Sequence, residues 1–245
     1  MQEWSLETPF SFQFKGPTSF TIGRIEEFER YQNIAFRENA SYVCFSTQRL
    51  RWMGIDSSFV HGTNINFFPA AGLLPFLSGS DDARLGVTFR PTSRTRVEET
   101  YIYNRLGTLA SRQVDVRSVP SIFNNHLWRT KVNYQFTRAL SIRLIVDYNA
   151  TLANPLLVNL DRSKRITGDV PLTYLLNPGT ALYIGYTDRR ENLAFDSSSL
   201  TGLQRTMSPF FPKDRQLFVK NQLSISLLSG RRLPCSREDT VGRLF

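Results

Sequence analysis

The chain has only two cysteines in 245 residues, Cys44 and Cys235. Two so far apart supply neither a disulfide framework nor the ligand spacing of a cysteine/histidine metal site. Histidine is as scarce, with His61 and His126 alone. No stretch approaches the ~20 consecutive apolar residues of a membrane helix. That excludes helical spans but not strands, which hide their apolar face in alternate positions. The first residues, Met1-Gln2-Glu3-Trp4-Ser5-Leu6-Glu7, carry early acids and no apolar core. They do not make a secretory signal, so an exported protein of this sequence is expected to begin upstream. Lysine is rare too: the net charge of +9 rests on 25 arginines against 5 lysines. These are spread through turns, strand faces and tail rather than gathered with aromatics into one patch, which speaks against a nucleic-acid partner.

What the sequence does have is alternation, clearest over 125–149. Even positions from His126 to Phe136 read His, Trp, Thr, Val, Tyr, Phe, and the odd positions between them hold Arg129, Lys131, Asn133 and Gln135. After Thr137-Arg138-Ala139 the pattern resumes, with Leu140, Ile142, Leu144, Val146 and Tyr148 on one face and Ser141, Arg143, Asp147 and Asn149 on the other. Period two marks strands with one wet face, and so short a turn makes them an antiparallel pair. Each runs about ten residues, near the ~9–11 of a tilted membrane strand. A soluble sandwich or lipocalin-like barrel alternates as well, with its apolar face turned inward.

Along the chain, strands are expected over 4–14, 20–28, 41–47, 50–59, 83–90, 94–104, 126–136, 140–149, 169–176, 181–187 and 215–227. Glu99 interrupts the apolar face of the sixth. The polar stretch 29–40 reads as a loop, with a short helix as the alternative for its run of acids. A tight turn is expected near Gln48-Arg49, and long connections over 60–82, 105–124, 150–168 and 188–214. Short and long connections then alternate, as they do between the periplasmic and outer rims of an outer-membrane barrel. The reading is therefore all-β: an antiparallel up-and-down transmembrane β-barrel in the bacterial outer membrane, with the bilayer as partner. Eleven strands is an odd number, and bacterial single-chain barrels are even. This points to the C-terminal portion of a larger barrel, with residues 1–227 as partial barrel and 228–245 as an irregular tail.

Three segments resemble a known family. RPTSRTRVEETYIYNRL (90–106), LWRTKVNYQFTRALSIRLIVDYN (127–149) and TYLLNPGTALYIGYTD (173–188) are similar to the C-terminal barrel region of the DUF5916 proteins of Gram-negative bacteria, and GTNINFFPAAGLLPFL (62–77) to the segment before it. The likeness runs from about Phe20 to Lys220. It implies a longer parent, in which a carbohydrate-binding family-9-like domain precedes the barrel. Members are labelled membrane-associated hydrolases, but no catalytic motif carries over to this chain. The sequence departs from the family after Leu217-Phe218-Val219-Lys220, where a basic, proline-bearing tail follows.

Candidate chemistry is sparse, and neither a cofactor nor a catalytic residue is predicted. His61 with Asp56 and Ser57 or Ser58 lacks a Gly-x-Ser-x-Gly elbow, and near neighbours in a strand point to opposite faces. Asp81-Asp82 and Asp161 lack the spacing of a calcium loop. His126 beside Trp128 suits an aromatic belt. There remains the polar face: Arg90, Arg96, Arg129, Lys131, Asn133, Gln135, Arg143 and Asp147 are expected to face a lumen. There they either brace the interior by pairing with Glu98, Asp147 and one another, or favour carbohydrate or anionic solutes. The expected function is a channel or solute-binding surface component. A membrane-associated hydrolase with its site in loops or in a missing N-terminal part, and a soluble β-protein, are the alternatives.

Overall fold

The computed structural model describes residues 3–109, 121–177, 180–195, 203–209 and 211–223. Eleven strands form one continuous antiparallel sheet: β1 (Glu3–Phe14), β2 (Thr18–Tyr31), β3 (Ile34–Leu50), β4 (Met53–Asn66), β5 (Phe76–Thr92), β6 (Thr95–Thr108), β7 (Ser121–Gln135), β8 (Leu140–Ala153), β9 (Ser163–Asn177), β10 (Thr180–Glu191) and β13 (Phe211–Leu223). Each pairs with its neighbour in chain order, β1 through β10, and β13 lies beside β10. Between these last two, β11 (Leu193–Phe195) and β12 (Leu203–Arg205) make a small separate hairpin. The chain is thus all-β and up-and-down, and among the described residues the sheet is not closed: β1 and β13 each pair on one side only.

The strands are longer than the alternation alone implies, and this moves several connections. No loop spans 29–40; β2 and β3 run to a two-residue turn at Gln32 and Asn33, both with positive φ (47° and 64°). Two consecutive left-handed residues match the twist of a hairpin, and glutamine gives no sequence signal for it. The turn expected at 48–49 falls at 51–52, because a register shift lets Leu50 pair with Met53. The connection expected over 60–82 shrinks to 67–75, since polar Asn64 and Ser80 are strand residues facing the wet side. That over 150–168 shrinks to 154–162, and most of 188–214 is strand or small hairpin. The strict short-long rhythm fails at 32–33. Most of the loop at 105–124, and the tail, lie outside the described residues.

Register assigns every side chain to a face. On one lie Phe10, Ile22, Val43, Phe59, Leu85, Val97, Val132, Leu144, Val170, Ile184 and Val219, one from each strand. No second layer covers them: Phe10 is 61% exposed, Trp128 52%, Leu144 38% and Ile184 38%. The small buried core is elsewhere, at the long-loop end of the opposite, polar face, where Ile122, Ala153 and Val158 pack with Phe76, Leu106, Phe123 and Leu157. It joins the 67–75 and 154–162 loops across β6 and β7. Pro69 bridges Val158, Ala70 N–H donates to Leu157 O (3.3 Å) and Asn159 N–H to Phe68 O (2.9 Å). The polar face is therefore roofed at that end.

Close contacts on the polar face set the glycines. A Cβ on Gly23 would collide with the Tyr42 ring, and one on Gly185 with the Phe218 ring, because a ring from the next strand lies over each. Tyr42 then donates its hydroxyl to Glu7 Oε1 at 2.5 Å, linking β3 to β1 across β2. Gly23→Val is expected to displace that ring and cost about 2 kcal/mol in urea unfolding, against about 1 kcal/mol for Tyr42→Phe, which loses the hydrogen bond alone.

Candidate functional site

The polar face carries the charge, arranged in cross-strand rows. Arg96, Asn133 and Arg143 form one row over β6, β7 and β8; Glu98, Lys131 and Ile145 the next; Thr100, Arg129 and Asp147 a third. Directly opposed residues stand near enough to interact, and these do. Arg129 grips Asp147 with two bonds, Nε to Oδ1 at 2.6 Å and Nη2 to Oδ2 at 2.9 Å. Glu98 receives Arg96 at 2.6 Å and Lys131 at 3.9 Å. A planar fork on a carboxylate fixes both side chains, so these residues brace the wall.

Below them, at the short-turn end, a cavity of about 690 Å³ opens on the same face. Five of the eight candidates line it: Arg90, Arg96, Asn133, Gln135 and Arg143. The other three, Arg129, Lys131 and Asp147, lie farther up the strands. Sequence reasoning missed Arg94, Ser141, Thr173 and Tyr183, which also line it. Ser141, Thr173 and Tyr183 are short or aromatic positions in alternation and were legible as face, not as site. Nearer the roof a second cavity of about 500 Å³ is rich in amides and hydroxyls, among them Asn64, Ser80, Asn104, Asn125, Asn149 and Thr151.

On the apolar face a band of aliphatic side chains lies between two sets of aromatics. Toward the short turns stand Trp52 against Phe89 (5.6 Å between ring centres) and Tyr134 against Phe136 (4.8 Å); toward the loops stand Tyr101 against Trp128 (5.9 Å) and Tyr103 against His126 (4.9 Å). His126 Nδ1 also lies 2.9 Å from Tyr101 Oη. Glu99 is a carboxylate inside the band. Its Oε2 accepts from Trp128 Nε1 (2.9 Å) and Thr130 Oγ1 (2.7 Å). Charges on this face also occur as ion pairs: Arg24 with Glu26, His61 and Arg105 with Asp81, Arg190 and Arg215 with Asp188.

The histidine chemistry resolves differently from the candidate arrangement. His61 lies on the opposite face from Asp56 and Ser58, and its Nδ1 meets Asp81 Oδ1 at 2.6 Å. Ser41 stands opposite His61 across β3 and β4, yet no hydrogen bond joins them among the described residues. Asp82 is engaged by Ser80 and Asn104, and among the described residues no group of three histidine, cysteine or acidic side chains is placed to hold a metal.

Acids gather at the loop end of β1–β3, above the apolar band. Glu27 faces Glu38 directly, and Glu3 faces Glu29. Burial, then the charges of Glu27 and Glu29, push the Glu38 carboxyl up to about 7. A carboxyl raised above its ordinary value costs stability once it ionises. Stability is accordingly expected to fall as pH rises from about 4.5 to about 7 and to level off above, by about 1–2 kcal/mol after solvent screening. Glu38→Gln flattens this dependence in urea titrations across that range.

No family model matches the chain, and no curated protein matches it. Among solved structures a NanC porin, determined in a rhombohedral crystal form, is similar over 91% of this chain and 94% of its own, at 11% identity and a TM-score of 0.39. So distant a likeness bears on no residue, and the chain's own two faces carry the functional reading.

Proposed function

We propose that this chain forms the wall of an outer-membrane β-barrel whose polar face lines a solute path. The observation that carries this reading is the exposed apolar face. Large side chains from ten of the eleven strands, β6 being the exception, stand exposed in this band, where water would cost roughly 25 cal/mol per Å² and acyl chains cost nothing. From Phe136 to His126 the band spans ten residue steps of β7. That is about 33 Å along the strand and, at a tilt near 40°, about 25 Å along the normal, the height of the apolar belt in such barrels. The aromatic sets stand where interfacial rings belong, and the long loops would lie outside.

The finer reading is a channel or binding surface for hydroxyl-rich or anionic solutes, supported by the amide-lined and arginine-lined cavities of the polar face. The resemblance to the DUF5916 barrels agrees with it and adds a carbohydrate-handling parent. A hydrolase of this chain finds less support, since Ser41, His61 and Asp81 share a row without a serine–histidine bond.

Folded into vesicles, the protein is expected to show Trp128 fluorescence quenched by brominated acyl chains and to conduct ions across planar bilayers. Trp128 quenched by aqueous iodide instead would turn the apolar face away from lipid and sink the reading. Glu99→Gln removes a charge from the band and is expected to stabilise the vesicle-bound fold by about 1 kcal/mol, since acids on a lipid face cost less than the ~2–4 kcal/mol of a midplane lysine or arginine.

A further inference from the structure

The polar face is not uniform along its length. At the short-turn end, the 690 Å³ cavity is lined by four arginines, Arg90, Arg94, Arg96 and Arg143, and by no carboxylate. Elsewhere on the described sheet several arginines are paired with an acid: Arg129 with Asp147, Arg165 with Glu191, and Arg190 and Arg215 together with Asp188. In the cavity only Arg96 is, through Glu98 outside the lining. Arg143 uses Nε to donate to Asn133 Oδ1 at 2.7 Å, which holds its plane and leaves both terminal nitrogens to the cavity. Arg90 and Arg94 make no side-chain hydrogen bond or ion pair among the described residues.

Three guanidinium groups without counter-charge around one concave space repel one another and attract a shared anion. A guanidinium fork matches the two oxygens of a carboxylate or sulfate. The rest of the lining suits a larger body attached to that anion: Gln135, Ser141 and Thr173 present amide and hydroxyl groups, and Tyr183 a ring with a polar tip. The volume falls within the ~300–1,000 Å³ usual for small-molecule sites.

We infer that this cavity is a binding site for a small acidic saccharide, with Arg90, Arg94 and Arg143 taking its carboxylate or sulfate and the polar lining its hydroxyls. The inference rests on the polar face being a solute path and sharpens it to one class of solute at one level. The path then selects in two stages, amides under the roof and arginines at the far end.

The test uses the full chain in lipid nanodiscs and titration calorimetry at low salt, with glucuronate, glucose, sulfate and acetate as probes. Glucuronate is expected to bind more tightly than acetate, and glucose to give no arginine-dependent heat. The Arg90→Gln/Arg143→Gln double variant should weaken glucuronate and sulfate at least ten-fold, while Arg24→Gln, on the opposite face, leaves both unchanged. Both substituted arginines are exposed, and retention of the β circular dichroism signal confirms folding. No anion binding by the unaltered protein, or binding that survives the double variant, overturns the site. Equal affinity for acetate and glucuronate overturns its saccharide half. Planar-bilayer conductance keeps the two readings apart: conductance with no anion binding sinks the site alone, and anion binding with no conductance sinks the path alone.

Discussion

A single layer of sheet has two faces and nothing to bury either of them against. That constraint governs the whole molecule. In a sandwich the apolar faces of two sheets cover each other; here eleven strands follow one another in order and the aliphatic band stays bare. Each face must therefore find its own surroundings; under the reading proposed above these are lipid for one and a wet interior for the other. The hydrogen-bond ladder satisfies the backbone wherever strands are paired, which leaves β1 and β13 as the two edges of the described sheet.

Charge placement follows from the same division. Within the band the apolar face tolerates Glu99 only with Trp128 and Thr130 donating to it. Arg24, His61, Asp81, Arg105, Asp188 and Arg190 also lie on that same face, each beside an opposite partner. The polar face behaves differently. It carries charge at every level, and its character changes from acids and amides near the loops, through braced pairs at Glu98 and Asp147, to arginines without acids at the turns. Glu191, buried between Arg165 (3.1 Å) and Lys213 (2.8 Å), ties β9 to β13 at the loop rim by the same logic.

The residues of the candidate site were legible in part. Arg129, Lys131, Asn133 and Gln135 occupy odd positions of a strand whose even positions are apolar, so their common face followed from period two. That Arg129 meets Asp147, and that Arg143 reaches Asn133 and not an acid, depends on register, which a hairpin with a four-residue connection at 136–139 leaves open by a step. Arg94 sits in a turn, where alternation says nothing of direction, and it joined the cavity only through the bulge between Phe89 and Thr92.

Alternation over 125–149, 169–187 and 4–14 sufficed to determine strands, their antiparallel pairing and the side of each residue, because the pleat converts odd and even positions directly into two faces. The count of eleven strands in the main sheet followed from the same pattern. Tertiary structure alone decided where strands end, since polar strand residues such as Asn64 and Ser80 look like loop until the wet face is known to be a wall of the same sheet. It alone decided that the 67–75 and 154–162 loops meet over that wall, a contact between segments some ninety residues apart, as Asn66 Nδ2 and Leu157 O show at 3.0 Å. Nothing local in a sequence encodes which distant loops a curled sheet will bring together.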